Sequence, residues 1–124
     1  MPIETIRVSE QARDQLLSLR KATGIAQWNI LCRWAFCHSL QNPRPPVDIK
    51  IPADSSIEMT WRVFGGKFAD MYWALLRTCV ADSGGDLSDE NLNLQFRLHL
   101  HRGIESVARE MKRRNLSDLL MSLR

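Results

Sequence analysis

"TIRVSEQARDQLLSLRKATGI", residues 5–25, decides the fold of this chain, because it predicts a short strand followed at once by a capped helix. Ile6 and Val8 alternate with polar neighbours, which predicts a strand with one apolar and one polar face. Ser9 can cap a helix of about four turns, and Gly24 can end it. The chain is therefore predicted to begin with a strand and a helix that ends in a glycine turn.

Ala12, Leu16 and Leu19 recur at the helical period and are predicted to form the buried stripe of this first helix. Arg13 and Arg20, seven residues apart, lie along one flank of that stripe. They can contact phosphate groups or stay solvated, where Arg20 helps to offset the helix dipole. Both interpretations remain open at this point.

The next segment, "AQWNILCRWAFCHSLQN" at 26–42, predicts a helix whose apolar residues cover most of its circumference. Such a helix is expected to be buried on nearly every side. In a chain of this size it is either a central core helix or a surface for self-association. His38, near its end, is interpreted as a hydrogen-bonded histidine or one that faces the helix dipole, in preference to a metal ligand.

The rest of the chain predicts more helix. "NPRPP" at 42–46 is a linker within the domain, and "DIKIP" at 48–52 and "IEMTWRVF" at 57–64 are strand-like, with helix open for the second. A helix is predicted from Lys67 to a double glycine, and a longer one after Ser88. Between 92 and 100 strict alternation also allows a strand, although the cap and the length favour helix. A short last helix is expected from Ser117. We therefore predict a mainly α, compact helical domain over 1–124 with a short N-terminal strand.

Composition and charge limit the function. The 124 residues suffice for one domain, and 17 Lys and Arg against 14 Asp and Glu give a net charge of +3 and a pI near 9.0. Of these basic residues, 13 are Arg, whose planar fork of donors suits phosphate and carboxylate. The balance favours phosphate contacts over a merely solvated surface.

Three cysteines in apolar stretches, odd in number and without metal-ligand spacing, are typical of a reducing compartment. The start "MPIETIRV" does not resemble a signal peptide, and no apolar run approaches the roughly 18 residues of a membrane span. We expect a cytoplasmic protein with no membrane contact.

No motif predicts catalysis, a metal or a cofactor. On a helix His99 and His101 point about 200° apart and cannot share an ion, although on a strand they could. "GGK" at 65–67 lacks the spacing of a nucleotide phosphate loop and is interpreted as a helix entry. No Ser, Cys or Thr stands in a nucleophile motif. We therefore expect no enzymatic activity, while an active site assembled in space remains open.

A strand, a capped helix, a glycine turn and an apolar second helix follow one another in the order of ribbon-helix-helix proteins. In those proteins strands from two chains pair and read DNA. Thr5 and Arg7 would then lie on the solvent face of the strand. The order of elements predicts a ribbon-helix-helix-like oligomer.

Four stretches together resemble the DndE family, small proteins of bacterial DNA phosphorothioation systems: "IRVSEQARDQLLSLRKATGI", "WNILCRWAFCHSL", "IEMTWRVFGGKFADMYWALL" and "FRLHLHRGIESVA". The resemblance implies a compact, mainly helical domain related to ribbon-helix-helix proteins. It further implies a homo-oligomer, expected to be a tetramer, whose basic surface binds DNA and favours nicked duplex. The sulfur chemistry would belong to partner proteins, including a cysteine desulfurase and an iron–sulfur protein. A resemblance to a purine-biosynthesis carboxylase is the enzymatic alternative.

The predicted function is thus an accessory DNA-binding subunit without sequence readout, catalysis or cofactor. The residues expected to contact DNA are Arg7, Arg13, Arg20, Lys21, Lys50, Arg62 and Lys67. Those expected at the oligomer interface are Gly24, Trp28, Leu31 and Trp34. Two alternatives stay open: an adaptor whose basic face binds an acidic partner of the complex, and an enzyme that acts on a small anionic metabolite.

Overall fold

The computed structural model describes residues 3–123, and Met1, Pro2 and Arg124 lie outside the described residues, as do the two ends of the predicted 1–124 domain. The prediction of a mainly helical chain is confirmed. The elements are β1 (Thr5–Arg7), α1 (Glu10–Thr23), α2 (Trp28–Leu40), β2 (Glu58–Thr60), α3 (Trp61–Gly65), a 3₁₀ turn (Gly66–Phe68), α4 (Ala69–Asp82) and α5 (Asp89–Ser122).

Helix α1 forms as predicted. The Ser9 hydroxyl accepts a hydrogen bond from the Ala12 N–H at 3.1 Å, and Gly24 ends the helix with φ of 76°, in the left-handed region that glycine enters without strain. Ala12, Leu16 and Leu19 are buried. The buried stripe therefore holds α1 against the body.

The two strands form one small antiparallel sheet, in which Ile6 lies opposite Met59. Strand β1 thus pairs with β2 of the same chain, whereas a ribbon-helix-helix protein pairs the corresponding strands of two chains. The alternation from Ile57 to Val63 predicted strand, but only Glu58–Thr60 is strand. The Thr60 hydroxyl accepts the Val63 N–H at 3.1 Å and starts α3. The strand-like "DIKIP" has no regular structure.

Helix α2 packs against α5 in a very close crossing. A Cβ on Gly103 would lie 1.8 Å from the Ala35 carbonyl oxygen, so only glycine fits at this point. The prediction that α2 is buried on nearly every side is wrong for one face, because Ile30 and Trp34 are 41% and 42% exposed. Helix α2 is a core helix with one open apolar face.

The 92–100 segment is helix, and α5 continues without a break to Ser122, so the separate last helix expected from Ser117 is wrong. Residues 112–116 contain no Gly or Pro that could end the helix. Beyond Met111 every described residue of α5 is exposed. The helix therefore leaves the body and projects into solvent.

An aromatic cluster fills the core. Phe36 of α2, Phe64 of α3 and Phe96 of α5 meet with ring centres 5.1 to 5.7 Å apart, and Trp61 stacks on Phe64 at 5.1 Å. Burial of such rings dominates the packing energy of a domain this size. Within residues 3–123, no helix has both the length and the apolarity that crossing a membrane requires.

Candidate functional site

Arg7, predicted to contact DNA from the strand, is held by its own chain. Its guanidinium donates to the Ser55 carbonyl at 2.9 Å and to the Glu58 carboxylate at 2.6 Å. The charge of Arg7 is therefore paired across the sheet, and a phosphate would have to displace Glu58.

Three predicted residues lie on α1. Arg20 and Lys21 are exposed in its last turn, and Arg13 is half-buried with its guanidinium 3.9 Å from the Asp14 carboxylate. The Arg20 guanidinium stacks on the Trp28 ring, 4.3 Å from its centre. This contact fixes the end of α1 against the start of α2.

The N-terminus of α2 carries free backbone donors. Its cap residue Gln27 makes no side-chain cap, and its first turn contains no acidic residue. Within residues 3–123 the N–H groups of Trp28, Asn29 and Ile30 have no hydrogen-bond acceptor. Such amides, at the positive end of the helix dipole, can bind an anion.

The α3 region brings further cations to the same helix. The Asn29 side chain donates to the Val63 carbonyl at 3.2 Å, which joins α3 to the first turn of α2, and Arg62 precedes Val63 in α3. Both Arg62 and the predicted Lys67 are exposed and border one surface depression, together with Glu4 and Asp70.

Arg33 was missed by sequence analysis. One of its Nη atoms would lie 3.9 Å from a Cβ on Gly66, beside Lys67. The sequence feature that could have identified Arg33 is its position as the one Lys or Arg in a largely apolar helix. We call the following set the α2 basic surface, in which Arg13 and Lys21 are included because they lie on α1 with Arg20: Arg13, Arg20, Lys21, Arg33, Arg62, Lys67 and the free amides of the first turn of α2.

Lys50 lies apart from this surface. It borders a groove of about 530 Å³ between α1, α5 and the 46–52 segment, which also carries the carboxylates of Glu10, Asp54 and Glu105. Three carboxylates face Lys50 and Arg102 in this groove, whereas two face Arg62 and Lys67 in the other depression, so a phosphate is disfavoured more at Lys50 than there.

The residues predicted for the oligomer interface are only partly accessible. Gly24 and Trp34 are exposed and Trp28 is half-buried, but Leu31 is 0% exposed inside the core of its own chain and cannot touch a second copy. Ile30, one helical turn before Trp34, is 41% exposed and was not among the predicted residues. The accessible apolar pair on α2 is Ile30 and Trp34.

A second group of cations, also missed, lies on the C-terminal half of α5. Arg109 pairs with Glu105 at 2.9 Å, and Arg113 and Arg114 both pair with Glu110. The hydrogen bond from Arg113 lowers the pKa of the Glu110 carboxyl. These are exposed intrahelical pairs of small energetic weight.

The fold also brings Ser39 of α2 to His99 and Arg102 of α5, which lie 60 and 63 residues later in the sequence. Ser39 Oγ lies 2.9 Å from His99 Nδ1 and accepts the Arg102 Nε–H at 2.8 Å, and Arg102 also donates to the Ser39 carbonyl. Burial, and then the charge of Arg102, lower the pKa of His99 to about 4. Both Ser39 and His99 are 2% exposed, so the hydroxyl is closed to a substrate and the group stabilises the α2–α5 contact.

The histidines that follow a strand-like pattern have separate environments. His99 Nε2 faces Cys79 Sγ at 3.9 Å, whereas His101 accepts the Ser9 N–H at 3.2 Å and donates to the Arg97 carbonyl at 2.8 Å. His38 lies 3.1 Å from the Ser106 hydroxyl. Across residues 3–123 no three His, Cys, Asp or Glu side chains come together as metal ligands.

Comparison with known proteins agrees with this fold. The chain is similar to DndE from Escherichia coli B7A, described as involved in DNA phosphorothioation modification, with 22% identity over 86% of this chain and 98% of that one and a TM-score of 0.71. It is also similar to a DndE in which two glycines are replaced by lysine, with 20% identity over 84% and 95% of the two chains and a TM-score of 0.65. A search of curated proteins gives no match. Because residues 5–115 match the family model of the DNA sulphur modification protein DndE, this chain belongs to the DndE family.

Proposed function

We propose that this chain is a non-catalytic DNA-binding subunit of a DNA phosphorothioation system, in the bacterial cytoplasm, and that it holds duplex DNA on the α2 basic surface. The observation that carries the proposal is the joining of cations from α1 and α3 to a free helix N-terminus, through the contacts of Arg20 with Trp28 and of Asn29 with Val63. Arginine forks and helix amides are donors to phosphate oxygens.

Binding of this kind recognises the backbone and the shape of DNA, because the proposed donors, arginine side chains and helix amides, contact phosphate oxygens. A nick bends and separates the strands easily, so a nicked duplex can follow a curved surface at lower cost than an intact one. We therefore propose a preference for nicked duplex over intact duplex.

The proposal includes a homo-oligomer, with a tetramer as the expected number. The open face of α2, with Ile30 and Trp34, is the proposed contact, and Gly24, at which a Cβ would meet no atom within 4 Å, is the other exposed residue expected to take part. Because β1 pairs within the chain, any ribbon-helix-helix likeness lies in the order of strand and helices and not in a strand shared between copies through β1.

An adaptor is the second candidate, and the projecting end of α5 favours an apolar contact with the partner in place of the basic face expected from the sequence. Leu116, Leu119, Leu120 and Leu123 are 57 to 75% exposed at helical spacing, a pattern that suits an apolar groove on another protein of the system. The two functions are compatible. They differ in whether the isolated chain binds DNA.

The test is binding of matched intact, nicked and single-stranded oligonucleotides across a salt series, with the wild type and with Arg13→Ala/Arg20→Ala. We expect nicked duplex to bind best and affinity to fall steeply with salt. In the double variant the slope of log K against log salt should fall by about 1.8, because each phosphate that the protein no longer neutralises lowers it by about 0.9.

The matched control is Arg77→Ala/Arg114→Ala, which removes the same charge from exposed positions outside the α2 basic surface. Equal losses of affinity in the two variants would mean that net charge alone attracts DNA, and the α2 basic surface would be rejected. If the folded wild type binds none of the three oligonucleotides at low salt, the adaptor takes the place of the DNA-binding subunit.

A further inference from the structure

The segment between Pro46 and Pro52 is an isolated, extended piece of chain. From 45 to 54 it runs without a turn, a bend or a strand partner. Its apolar and charged side chains alternate: Val47 and Ile49 are 75% and 58% exposed, and Asp48 and Lys50 are exposed between and after them. This is the pattern of a strand whose pairing partner is missing.

The backbone of this segment is also unpaired. Among residues 3–123 no hydrogen bond reaches an N–H or C=O group from Val47 to Lys50, and the first carbonyl with a partner is that of Ile51, which accepts from Arg97 at 2.9 Å. An exposed row of free backbone donors and acceptors is a template for another strand. Pro46 and Pro52 at its ends limit such a ladder to five residues.

The body of the chain does not cover the apolar side chains. Val47, Ile49 and Ile51 border the groove of about 530 Å³, whose opposite wall includes Ala12 of α1 and Leu98 of α5. The groove also carries charged side chains, but Val47 and Ile49 are mostly exposed, and a second surface that removes them from water lowers the free energy.

Asp48 and Lys50 favour pairing of this segment with the same segment of a second copy, in one register. When "VDIKI" pairs antiparallel with a second copy about Ile49, Asp48 lies opposite Lys50 of the other copy, and this pair occurs twice by symmetry. A shift of the antiparallel register by two residues places Asp48 opposite Asp48, or Lys50 opposite Lys50. Parallel pairing in register also opposes like charges. Opposite charges across a strand pair stabilise it and like charges destabilise it, so one register is favoured.

We propose that residues 47–51 form an intermolecular antiparallel ladder with the same segment of a second copy, centred on Ile49. This contact is isologous, since each copy contributes the same five residues. It is separate from the open face of α2 and does not depend on DNA binding. A tetramer can be closed by two different two-fold contacts. The ladder would be one of them, and the other would be the α2 contact of the proposed function, on which the tetramer, but not the ladder, depends.

Cysteine cross-linking without DNA tests the ladder. In a Cys37→Ser/Cys79→Ser background, which leaves only the buried Cys32, Ile49→Cys should oxidise readily to a disulfide-linked dimer. Val47→Cys should not, because the two copies of residue 47 would lie about 13 Å apart, at about 3.3 Å for each of four residues. A mixture of Val47→Cys and Ile51→Cys should cross-link.

A charge exchange gives a second test that does not rely on thiols. Asp48→Lys and Lys50→Asp should each weaken self-association by about tenfold in sedimentation equilibrium, and the double exchange should restore it. The ladder is overturned if Ile49→Cys cross-links no better than Val47→Cys, if the protein sediments as a monomer at all concentrations, or if the double exchange is as weak as the single ones.

Trp34→Glu separates the ladder from the α2 contact. If both contacts exist, Trp34→Glu reduces the assembly to a dimer that still cross-links through Ile49→Cys. If Trp34→Glu also abolishes this cross-link, the two copies of residue 49 come close only because the α2 contact holds the copies together. The ladder would then be rejected.

Discussion

The guanidinium of Arg20 lies 4.3 Å from the centre of the Trp28 ring, and this stacking joins the last turn of α1 to the first turn of α2. It holds a cation beside helix amides that have no acceptor in the described chain. Arg20 is therefore positioned before any phosphate arrives, which lowers the entropy cost of binding.

We predict that Arg20→Ala and Trp28→Leu weaken DNA binding in different ways. Arg20→Ala removes one cation from the phosphate backbone, so the slope of log K against log salt should fall by about 0.9. Trp28→Leu keeps the charge and removes the support, so the slope should stay constant while affinity falls about two- to fivefold, as expected for a cation–π contact of about 0.5–1 kcal/mol. Fluorescence anisotropy over a salt series measures both. An unchanged slope in Arg20→Ala would exclude this arginine from the contact.

Gly103 is predicted to be the least replaceable residue of the α2–α5 crossing. A Cβ added at this position would lie 1.8 Å from the Ala35 carbonyl oxygen, and a backbone group cannot rotate away as a side chain can. Gly103→Ala should therefore lower the free energy of unfolding by about 3 kcal/mol or more, measured by urea denaturation. Gly24→Ala is the comparison: it meets no atom within 4 Å and costs only the left-handed conformation, about 1 kcal/mol. Equal decreases in the free energy of unfolding of the two variants would mean that α2 and α5 move apart enough to accept a Cβ at residue 103.

Local signals in the sequence were sufficient for the parts of the fold that local forces determine. Ser9 and Ser88 cap their helices as predicted, and the stripe of Ala12, Leu16 and Leu19 is buried. The alternation of residues 57–63 predicted a strand through Trp61, but Thr60 caps a helix there. Trp61 is buried as part of that helix and not as part of a strand.

Long-range contacts decided what the sequence did not reveal. The open face of α2 depends on where α3 and α5 pack, so Leu31 and Trp34 look equivalent in sequence although one is buried and the other is 42% exposed. Arg7 looked like a free strand cation because Glu58, its partner, is 51 residues away. Arg33 joined the α2 basic surface only through its approach to Gly66.

The projecting end of α5 is predicted to add little to the stability of the folded chain. Its side chains after Met111 are exposed, and an isolated helical extension of this length is marginal in water. Deletion of residues 116–124 should shift the Tm by less than about 2 °C, since each kcal/mol corresponds to several degrees. Met111→Ala, which trims a side chain packed partly on the core, should cost more. If the deletion lowers the Tm more than Met111→Ala does, the leucines of the projecting end of α5 pack against the rest of the chain.

His99 is predicted to make the stability of the protein depend on pH. Burial and the charge of Arg102 lower its pKa from 6.5 to about 4, so between these values the unfolded chain binds a proton that the native chain does not. Stability is therefore complete above about pH 6.5 and falls as the pH drops towards 4, by about 3 kcal/mol from this residue. His101, whose pKa burial also lowers, adds to the same trend. Urea denaturation at pH 7.0, 5.5 and 4.5 measures the slope.

His99→Gln isolates the share of His99 in this dependence. Its amide can still bond the Ser39 hydroxyl but cannot titrate, so the variant should lose stability at pH 7 and show a shallower decline than the wild type between pH 6.5 and 4.5. The remaining decline in this range belongs to His101, whereas the Glu110 carboxyl, whose pKa is lowered, affects stability only at more acidic pH. A variant with the full slope of the wild type would show that the pKa of His99 is the same in the native and the unfolded chain, which requires that water reach its ring and that the Ser39–Arg102 contact open in solution.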